Sequence, residues 1–348
     1  MTFLERGESP ADVPLRVAFF GTPAFAVPTL QRLALDPRFD VVRVVTRPDR
    51  PAGRGRRVEA SPVARAASTL DLPLIQPATL RDGTSRAPLV ALDADLFVVA
   101  AFGMIFGPKL LAIPRLGCVN VHASLLPRYR GASPIAAAVV AGDARTGVSL
   151  MKMAVGLDTG PVFARGDVLI GADDTTASLT ARLADLGADL IGTTLADFAT
   201  GAIQPEPQSE TGATLTRPLT KADGWLDWTR PAADLERHVR AMWPWPRAWT
   251  TLDDQPLQVH AAEAIVGTGP AGTVMPGRDL MIGCGAGALR LLTVQAAGGR
   301  PVPGGHGVGG GRLRAGVTLG ATGRPAVQTP LIVEPDGGGD DPEQALTP

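Results

Sequence analysis

The sequence has few cysteines and no long apolar run, and these two absences exclude several classes of protein. Its two cysteines, Cys118 and Cys284, lie far apart and outside any CxxC or Cys/His cluster, so neither a structural zinc site nor a disulfide framework is predicted. The longest apolar run, residues 96–107, is too short to cross a bilayer. Residues 1–14 contain acidic side chains and no apolar segment of the kind found in signal peptides. We therefore expect a cytoplasmic protein that does not contact a membrane.

The sequence also has almost no net charge, since 33 basic and 34 acidic side chains sum to −1. That balance argues against a protein that binds nucleic acid over its whole surface. The charges are nevertheless unevenly distributed, because residues 333–348 carry only acidic charge and partly mask a basic segment elsewhere. We call that segment, residues 47–57, the arginine loop; it contains a single acid, Asp49. Its arginines are Arg47, Arg50, Arg54, Arg56 and Arg57.

Short apolar runs alternate with longer helical segments from residue 15 to about residue 200. This alternation is the signature of βαβ units, so we expect an α/β fold with a Rossmann-like, mostly parallel sheet. The predicted strands cover residues 15–20, 41–46, 74–76, 96–101 and 118–122, with a hairpin-like pair at 147–153 and 162–170. The predicted helices cover residues 26–34, 62–70, 135–141 and 176–200.

A change of composition near residue 202 predicts a second domain. Residues 202–218 are polar and contain three prolines, which is typical of a linker. Short apolar segments follow a predicted helix at 231–242, at spacings typical of a small, OB-like β-barrel. These segments are residues 249–252, 258–265, 279–282, 288–295 and 316–319. The predicted order is an N-terminal tail (1–14), an α/β catalytic domain (15–201), a linker (202–218), a C-terminal barrel (219–322) and a disordered tail rich in Gly, Pro and acids (323–348).

Two polar side chains lie at the end of the predicted strand at residues 118–122. Because side chains alternate along a strand, Asn120 and His122 project from the same face. The carboxyl end of a strand is where open parallel sheets bind ligands, and the loop at residues 123–131 is where a substrate would lie. A histidine at a strand edge is also often a hydrogen-bonded structural residue. The pair is therefore a candidate for chemistry that its spacing alone does not establish.

Asp158 lies between glycines in Gly156-Leu157-Asp158-Thr159-Gly160, a sequence that predicts a tight turn. By itself, such an aspartate is more often a turn residue than a catalyst. A carboxylate that approaches a histidine fixes the orientation of the ring and favours its protonated form, which is a common way to make a positioned acid. We therefore take Asn120, His122 and Asp158 together as the candidate catalytic residues.

Four ordered motifs resemble those of the folate-dependent formyltransferases. They are Phe20-Gly21-Thr22-Pro23, Asn120-Val121-His122, Ser124-Leu125-Leu126-Pro127-Arg128-Tyr129-Arg130-Gly131 and the turn that contains Asp158. Within that superfamily, the arginine loop followed by Ser61-Pro62-Val63 resembles the methionyl-tRNA formyltransferase family, as does Trp243-Pro244-Trp245-Pro246 with Trp249. The resemblance runs from about residue 15 to residue 320.

The resemblance implies a reaction. A formyl group would pass from the co-substrate 10-formyltetrahydrofolate to the α-amino group of methionine on initiator tRNA, for translation initiation. Asn120 and protonated His122 would stabilise the developing oxyanion, each donor contributing about 3 kcal/mol. Asp158 would orient His122 and relay the proton with which the folate nitrogen leaves. No metal is expected, because no cluster of ligands lies near His122 in the sequence.

Two binding segments follow from the same resemblance. Arginines bind backbone phosphates, so the five arginines of the arginine loop would hold tRNA in position without reading its sequence. The folate would lie against a wall formed by Ser124, Leu125, Leu126 and Pro127. The expected partners are therefore methionyl initiator tRNA and the folate, and the protein is expected to act as a monomer.

The C-terminal region carries two features whose interpretation stays open. Trp243, Trp245 and Trp249 could stack on an unpaired base, but packing between the end of the predicted helix and the barrel is the favoured interpretation. Residues 303–311 are rich in glycine where members of the family usually carry a charged, helix-forming stretch. Each glycine costs about 1 kcal/mol relative to alanine in a helix, so a flexible loop is expected there. This departure puts in doubt how far the C-terminal domain keeps the usual RNA contacts.

Three other functions compete with transfer to tRNA. The chain could formylate a small amine, such as an amino sugar nucleotide or glycinamide ribonucleotide, although the arginine loop and the second domain weigh against this. It could direct water at the formyl carbonyl as a 10-formyltetrahydrofolate hydrolase, but the arginine loop would then have no purpose. An RNA-binding module with an inactive catalytic domain ranks last, because all three polar residues are present.

Overall fold

The protein is described by a computed structural model that covers residues 13–52, 57–305, 311–323, 325 and 330–334. Within these residues the chain divides into two compact units. The first unit extends to Arg130 and includes Gly147–Val168 and Ala181–Ala213. The second unit consists of Gly131–Thr146, Leu169–Thr180 and the residues from Thr214 onward.

The N-terminal half of the chain alternates strands and helices. The strands are β1 (Leu15–Gly21), β2 (Phe39–Val45), β3 (Arg50–Ala52), β4 (Arg57–Glu59), β5 (Leu74–Ile75), β6 (Leu96–Ala100), β7 (Cys118–His122), β8 (Arg130–Gly131), β9 (Arg145–Lys152) and β10 (Val162–Leu169). The helices are α1 (Val27–Leu35), α2 (Pro62–Thr69), α3 (Gly83–Val90), α4 (Pro108–Leu111), α5 (Pro134–Ala141) and α6 (Thr176–Thr200).

Seven strands form the main sheet, in the order β10-β9-β7-β6-β1-β2-β5. β1 pairs in parallel with β2 and with β6, and β6 pairs in parallel with β7. The chain therefore runs outward from β1 to one side and later returns to the other side, which creates a switch point between β1 and β6. β9 pairs antiparallel with β7. The central strands are nevertheless parallel, so the mostly parallel, Rossmann-like sheet predicted from the sequence is confirmed.

The core of this sheet explains why its central strands are uniformly apolar. Strands covered on both faces read as continuous hydrophobic runs, and every residue of β6 is buried. Phe20 packs against Phe97, Phe102 and Phe106, with ring centroids 4.9, 5.4 and 5.1 Å apart, in tilted or edge-to-face geometries. This packing fixes the carboxyl ends of the central strands, where ligands bind in such sheets.

Most predicted elements of the first half are present, with ends within about two residues of the predicted ones. Two short helices escaped prediction for physical reasons. α3 contains Pro88, which breaks the helical pattern, although the Asp82 carboxylate caps its first turn by accepting from the Ser85 N–H at 2.7 Å. α4 has only four residues, too few to show a period.

The second half of the chain forms a curled antiparallel sheet with one helix, α7 (Ala232–Ala241). The sheet has the order β12-β13-β15-β14 with β16 beside β15, and two register shifts in β13 between Val259 and Ala262 bend it. The predicted barrel is thus a half-barrel, and residues 316–319 form an isolated bridge from Thr318 to Thr273 instead of a strand. The strands are β11 (Leu215–Thr216), β12 (Ala248–Leu252), β13 (Gln255–Ile265), β14 (Met281–Gly283), β15 (Ala288–Ala296), β16 (Val302–Pro303) and β17 (Ile332–Val333).

The segments expected to be irregular are more ordered than composition suggests. Residues 202–218 contain β11, and Glu206 pairs with Val162 through two backbone hydrogen bonds of 2.8 Å. β17 pairs antiparallel with β11, and the β-branched side chains of Ile332 and Val333 favour a strand. Residues 324, 326–329 and 335–348 of the expected tail, and 306–310 of the glycine-rich stretch, lie outside the described residues. In the described part of the chain, every helix is too short or too polar to span a bilayer.

Candidate active site

The carboxylate of Asp158 contacts the other two candidate catalytic residues, Asn120 and His122. β7 presents Asn120 and His122 on one face, and the turn after β9 brings Asp158 against both of them. The Asn120 amide Nδ2 donates to Asp158 Oδ1 at 3.2 Å, and His122 Nδ1 lies 3.4 Å from Asp158 Oδ2. The structure therefore brings together residues that the sequence separates by 38 positions, with one carboxylate oxygen facing each donor.

The imidazole ring of His122 is held at both nitrogens. Its Nε2 lies 2.9 Å from the backbone carbonyl oxygen of Tyr129, while its Nδ1 faces the carboxylate of Asp158. A carbonyl oxygen only accepts, so Nε2 carries a hydrogen in this arrangement. With an oxygen facing each nitrogen, the ring is held in one orientation between Tyr129 and Asp158. Only 6% of the His122 side chain is exposed, which keeps this geometry away from bulk water.

The turn that carries Asp158 depends on two glycines. Gly156 has φ +116°, a conformation that side chains disfavour. A Cβ on Gly160 would lie 1.9 Å from the backbone carbonyl oxygen of Lys152, so only glycine lets the turn pass this close to the end of β9. The glycines that predicted a tight turn thus also set how near the Asp158 carboxylate comes to β7.

Residues of the predicted linker hold the same turn. The Gln208 amide Nε2 donates to the backbone carbonyl oxygens of Asp158 and Gly160, both at 2.7 Å. The Gln208 carbonyl oxygen accepts from Arg130 Nε at 3.1 Å. Arg130 is only 3% exposed, and its two terminal nitrogens donate to the Glu210 carboxylate at 2.9 and 3.0 Å. The hydrogen bond from Arg130 lowers the pKa of Glu210 below its ordinary value.

Sequence reasoning missed Gln208 altogether. Its neighbours Pro205 and Pro207 gave the segment the composition of a linker, and a single glutamine there carries no local signal. Arg130 lay inside a motif used for the family resemblance, but nothing in its spacing indicated a partner about eighty residues away.

The predicted folate wall is a tightly bonded loop. Ser124 is fully buried, and its hydroxyl donates to the Arg128 carbonyl oxygen at 2.6 Å. The Ser149 hydroxyl donates to the Ser124 carbonyl oxygen at 2.8 Å and accepts from the Leu126 N–H at 3.0 Å. Leu126 packs in a small apolar cluster, whereas Leu125 and Pro127 are half-buried. The loop therefore offers a fixed apolar surface, with Ser124 inside it rather than on it.

The arginine loop is anchored at its base. Backbone pairing joins β3 and β4 antiparallel, from Arg50 opposite Glu59 to Ala52 opposite Arg57. The Gln76 amide donates to the Arg47 carbonyl oxygen at 3.0 Å and to the Asp49 carboxylate at 2.6 Å. Arg54 and Arg56 lie outside the described residues, as do the side chains of Arg50 and Arg57.

The same base is tied to the sheet by side chains at its two ends. The Arg47 guanidinium donates to the Gly103 carbonyl oxygen at 3.3 Å. The hydroxyls of Thr46 and Ser61, which flank the loop, are hydrogen-bonded to each other at 3.0 Å. The backbone on either side of residues 53–56 is therefore tied to the sheet.

The tryptophans of the second unit divide into packed and exposed residues. Trp249 packs edge-on against Trp225 and donates its indole N–H to the Lys221 carbonyl oxygen at 3.0 Å. Trp243 lies beside His260, with ring centroids 5.1 Å apart. Trp245 is 56% exposed. Packing within the unit accounts for two of the three tryptophans that the sequence left open.

The described residues contain no group of three or more His, Cys, Asp or Glu side chains that could hold a metal ion. The site instead combines two nitrogen donors and one carboxylate at the carboxyl end of a sheet strand. Such a set can stabilise an oxyanion and move a proton, which are the two requirements of acyl transfer to an amine.

Comparison with known proteins gives the class first. Residues 15–195 match the formyl transferase family, and residues 218–306 match the formyl transferase C-terminal domain family. The fold is shared with an N-formyltransferase from Helicobacter canadensis, solved in complex with folinic acid and dTDP-3-aminofucose, at a TM-score of 0.62 and 15% identity. That likeness covers 80% of this chain and 98% of the other. The chain is thus a formyltransferase by class.

Relatives of closer sequence give the family. A methionyl-tRNA formyltransferase from Roseiflexus sp. (strain RS-1) is 48% identical over 312 residues, covering 88% of this chain and 96% of the relative. A second, from Stutzerimonas stutzeri (strain A1501), is 47% identical over 291 residues, covering 83% of this chain and 92% of the relative. The chain belongs to the methionyl-tRNA formyltransferase family.

Proposed function

We propose that the protein transfers the formyl group of 10-formyltetrahydrofolate to the α-amino group of methionine on initiator tRNA, for translation initiation. The observation that carries this proposal is the Asp158 carboxylate, which serves Asn120 with one oxygen and His122 with the other. The family to which the chain belongs indicates the substrate, and the geometry of the site indicates the chemical mechanism.

The first chemical step is attack of the neutral amine on the formyl carbon. A formyl group bonded to nitrogen is a poor electrophile, so charge that develops on its oxygen must be stabilised. The Asn120 amide nitrogen carries two hydrogens, of which one is directed to Asp158, and the other is available for this oxygen. His122 would supply the second donor through Nδ1, because Nε2 is directed to the Tyr129 carbonyl oxygen; the Nδ1 hydrogen would then be shared between the formyl oxygen and Asp158 Oδ2, 3.4 Å away.

The second step is departure of the folate. The attacking amine becomes positively charged and loses a proton, and the folate N10 must gain one before its bond to the formyl carbon breaks. Asp158 lies beside His122 and is suited to carry that proton from the attacking amine to the folate N10, directly or through water. The C=O bond then reforms, so the products are formyl-methionyl-tRNA and tetrahydrofolate with no net gain or loss of protons.

The two substrates are held by separate segments. We place the folate against the loop at Ser124, Leu125, Leu126 and Pro127, where Leu125 and Pro127 offer partly accessible apolar surface and Ser124 fixes the loop from inside. We place tRNA phosphates at Arg47, Arg50, Arg54, Arg56 and Arg57, because five arginines within residues 47–57 concentrate positive charge in one segment.

Two further points belong to this proposal. The catalytic groups named above all come from one chain, which supports activity as a monomer. The substrate is the tRNA that starts translation, so we place the reaction in the cytoplasm, where ribosomes use that tRNA.

The test is to offer the purified protein 10-formyltetrahydrofolate with one acceptor at a time. The acceptors are charged initiator tRNA, charged elongator methionine tRNA, glycinamide ribonucleotide, an amino sugar nucleotide, or water alone. We expect rapid formylation of the initiator tRNA and slower or no formylation of the others. Formylation of a small amine at the higher rate, or tetrahydrofolate release with water alone, would contradict the proposal.

A further inference from the structure

A second route of hydrogen bonds connects His122 to Asp158, besides their direct contact. Tyr129, whose carbonyl oxygen faces His122 Nε2, is followed directly by Arg130. Arg130 donates through Nε to the Gln208 side chain, and Gln208 donates to the backbone of Asp158 itself. The route is therefore closed into a ring by the contact between His122 Nδ1 and Asp158 Oδ2.

The polar groups along this route are matched to their partners. A glutamine amide has two donor hydrogens and one acceptor oxygen at the end of the same side chain. In Gln208 the donors meet two carbonyl oxygens, and the oxygen meets a guanidinium that only donates. The bidentate pairing of Arg130 with Glu210 restricts the guanidinium further. Few side chains satisfy this set, since glutamate cannot donate and a hydrocarbon can do neither.

We infer that Gln208 is a positioning residue for formyl transfer: supported by Arg130, it sets the Asp158 turn at the distance where one carboxylate serves both Asn120 and His122. The inference rests on the proposed function of the same site. The two hydrogen bonds from the Gln208 amide end on backbone carbonyl oxygens of the turn, so we assign it an effect through the backbone of Asp158 and Gly160.

The variant that tests this role is Gln208→Glu, which keeps the shape and the contact with Arg130 but turns an oxygen toward two carbonyl oxygens. The matched control is Gln204→Glu in the same segment, because the Gln204 amide also donates to a backbone carbonyl, that of Gly201, at 2.8 Å. Gln208→Met is a second variant, which removes the hydrogen bonds without adding charge.

We expect Gln208→Glu to lower kcat by about 10- to 100-fold, since misplacing a catalytic group by about 1 Å typically costs that much. The KM for 10-formyltetrahydrofolate and the Kd for tRNA should stay within about threefold of the parent values, because neither substrate contact changes. The control should have the parent kcat. A role confined to stability would instead lower Tm and leave the kcat of the folded enzyme unchanged.

A double-mutant cycle with Asp158→Asn, measured in single turnover with excess enzyme, decides whether Gln208 acts through Asp158. The cost of Gln208→Glu should largely disappear in that background, because the carboxylate it positions is already gone. Equal costs in both backgrounds, or a kcat within about twofold of the parent for both Gln208 variants, would overturn the inference. Failure of the parent enzyme to formylate any tRNA would contradict the proposed function instead, so the two failures are distinguishable.

Discussion

At the scale of the residue, the proposed catalysis depends on the Asp158 carboxylate, which contacts both Asn120 and His122. Asp158 orients the imidazole of His122 with one oxygen and the amide of Asn120 with the other. Each donor thereby keeps a fixed direction before the formyl oxygen develops charge. Prepositioned donors of this kind are effective because they need no reorganisation during the reaction.

Replacing Asn120 or Asp158 by alanine should abolish turnover and leave tRNA binding nearly unchanged. Asn120→Ala and Asp158→Ala are each expected to reduce kcat by at least about 100-fold, the typical cost of losing one oxyanion donor or one positioned acid. The Kd for tRNA should change little, because neither side chain belongs to the arginine loop. Rapid-mixing kinetics and filter binding measure the two quantities. Equal losses in both would show that the residues are structural.

The sequence permits part of this site to be predicted and hides the rest. Alternation along a strand is enough to predict that Asn120 and His122 share one face. Motifs of the family then associate Asp158 with them. Neither source reveals that a single carboxylate serves both donors, nor that Gln208 holds the turn, because both depend on contacts between residues far apart in the chain.

At the scale of the element, the glycine turn after β9 determines where Asp158 lies. Gly160→Ala would place a methyl group against the Lys152 carbonyl oxygen, and overpacking of this kind costs about 1 to 3 kcal/mol. We expect a lower free energy of unfolding in denaturant titrations and a reduced kcat, because the turn must move away from the end of β9 and shift the Asp158 carboxylate with it. Gly83→Ala is the control, since a Cβ there meets nothing within 4 Å. An unchanged kcat for Gly160→Ala would show that the turn adjusts without moving the carboxylate.

The hairpin of the arginine loop should contribute charge rather than sequence recognition. Replacing Arg54, Arg56 and Arg57 by alanine is expected to weaken tRNA binding. It should also reduce the magnitude of the slope of log K against log salt by about 2 to 3, since each of the three lost phosphate contacts removes roughly 0.7 to 0.9. The control replaces three exposed arginines elsewhere, Arg81, Arg145 and Arg165. An unchanged salt slope for the loop variant would contradict the phosphate-binding role.

Helices and strands were predictable where the periodic pattern of apolar residues was long and unbroken. α6 has the predicted bounds, because its helical period persists over about seven turns, and β7 has them as well. The hairpin of β3 and β4 was not predicted, since its strands have three residues each and little apolar character. The pairing of β17 with β11 joins two-residue strands that are far apart in the chain, so no local pattern announces it.

At the scale of the whole molecule, a buried histidine connects stability to pH. His238 lies on α7, and burial, with a smaller effect of Arg230, lowers its pKa to about 4 from the ordinary value of 6.5. As the pH falls below 6.5, the unfolded chain takes up a proton that the folded chain does not, so the unfolded state is favoured. We expect this residue alone to remove about 3 kcal/mol of folding free energy between pH 6.5 and pH 4.

Denaturant unfolding at several pH values measures this contribution. His238→Asn cannot take up the proton, so its free energy of unfolding should fall less steeply with decreasing pH, even though lost packing lowers it at neutral pH. Subtracting the two profiles removes the contribution of carboxylates that titrate in the same range. Parallel profiles for the two proteins would show that His238 is protonated equally in both states.

Product stoichiometry in a single turnover tests the central claim most directly, with excess protein, charged initiator tRNA and 10-formyltetrahydrofolate. A site in which Asn120, His122 and Asp158 deliver the formyl group to the amine should yield formyl-methionyl-tRNA and tetrahydrofolate at the same rate and in a ratio of about one. Asp158→Ala should slow both products together. Tetrahydrofolate that forms without formyl-methionyl-tRNA, or a rate unaffected by Asp158→Ala, would contradict the account.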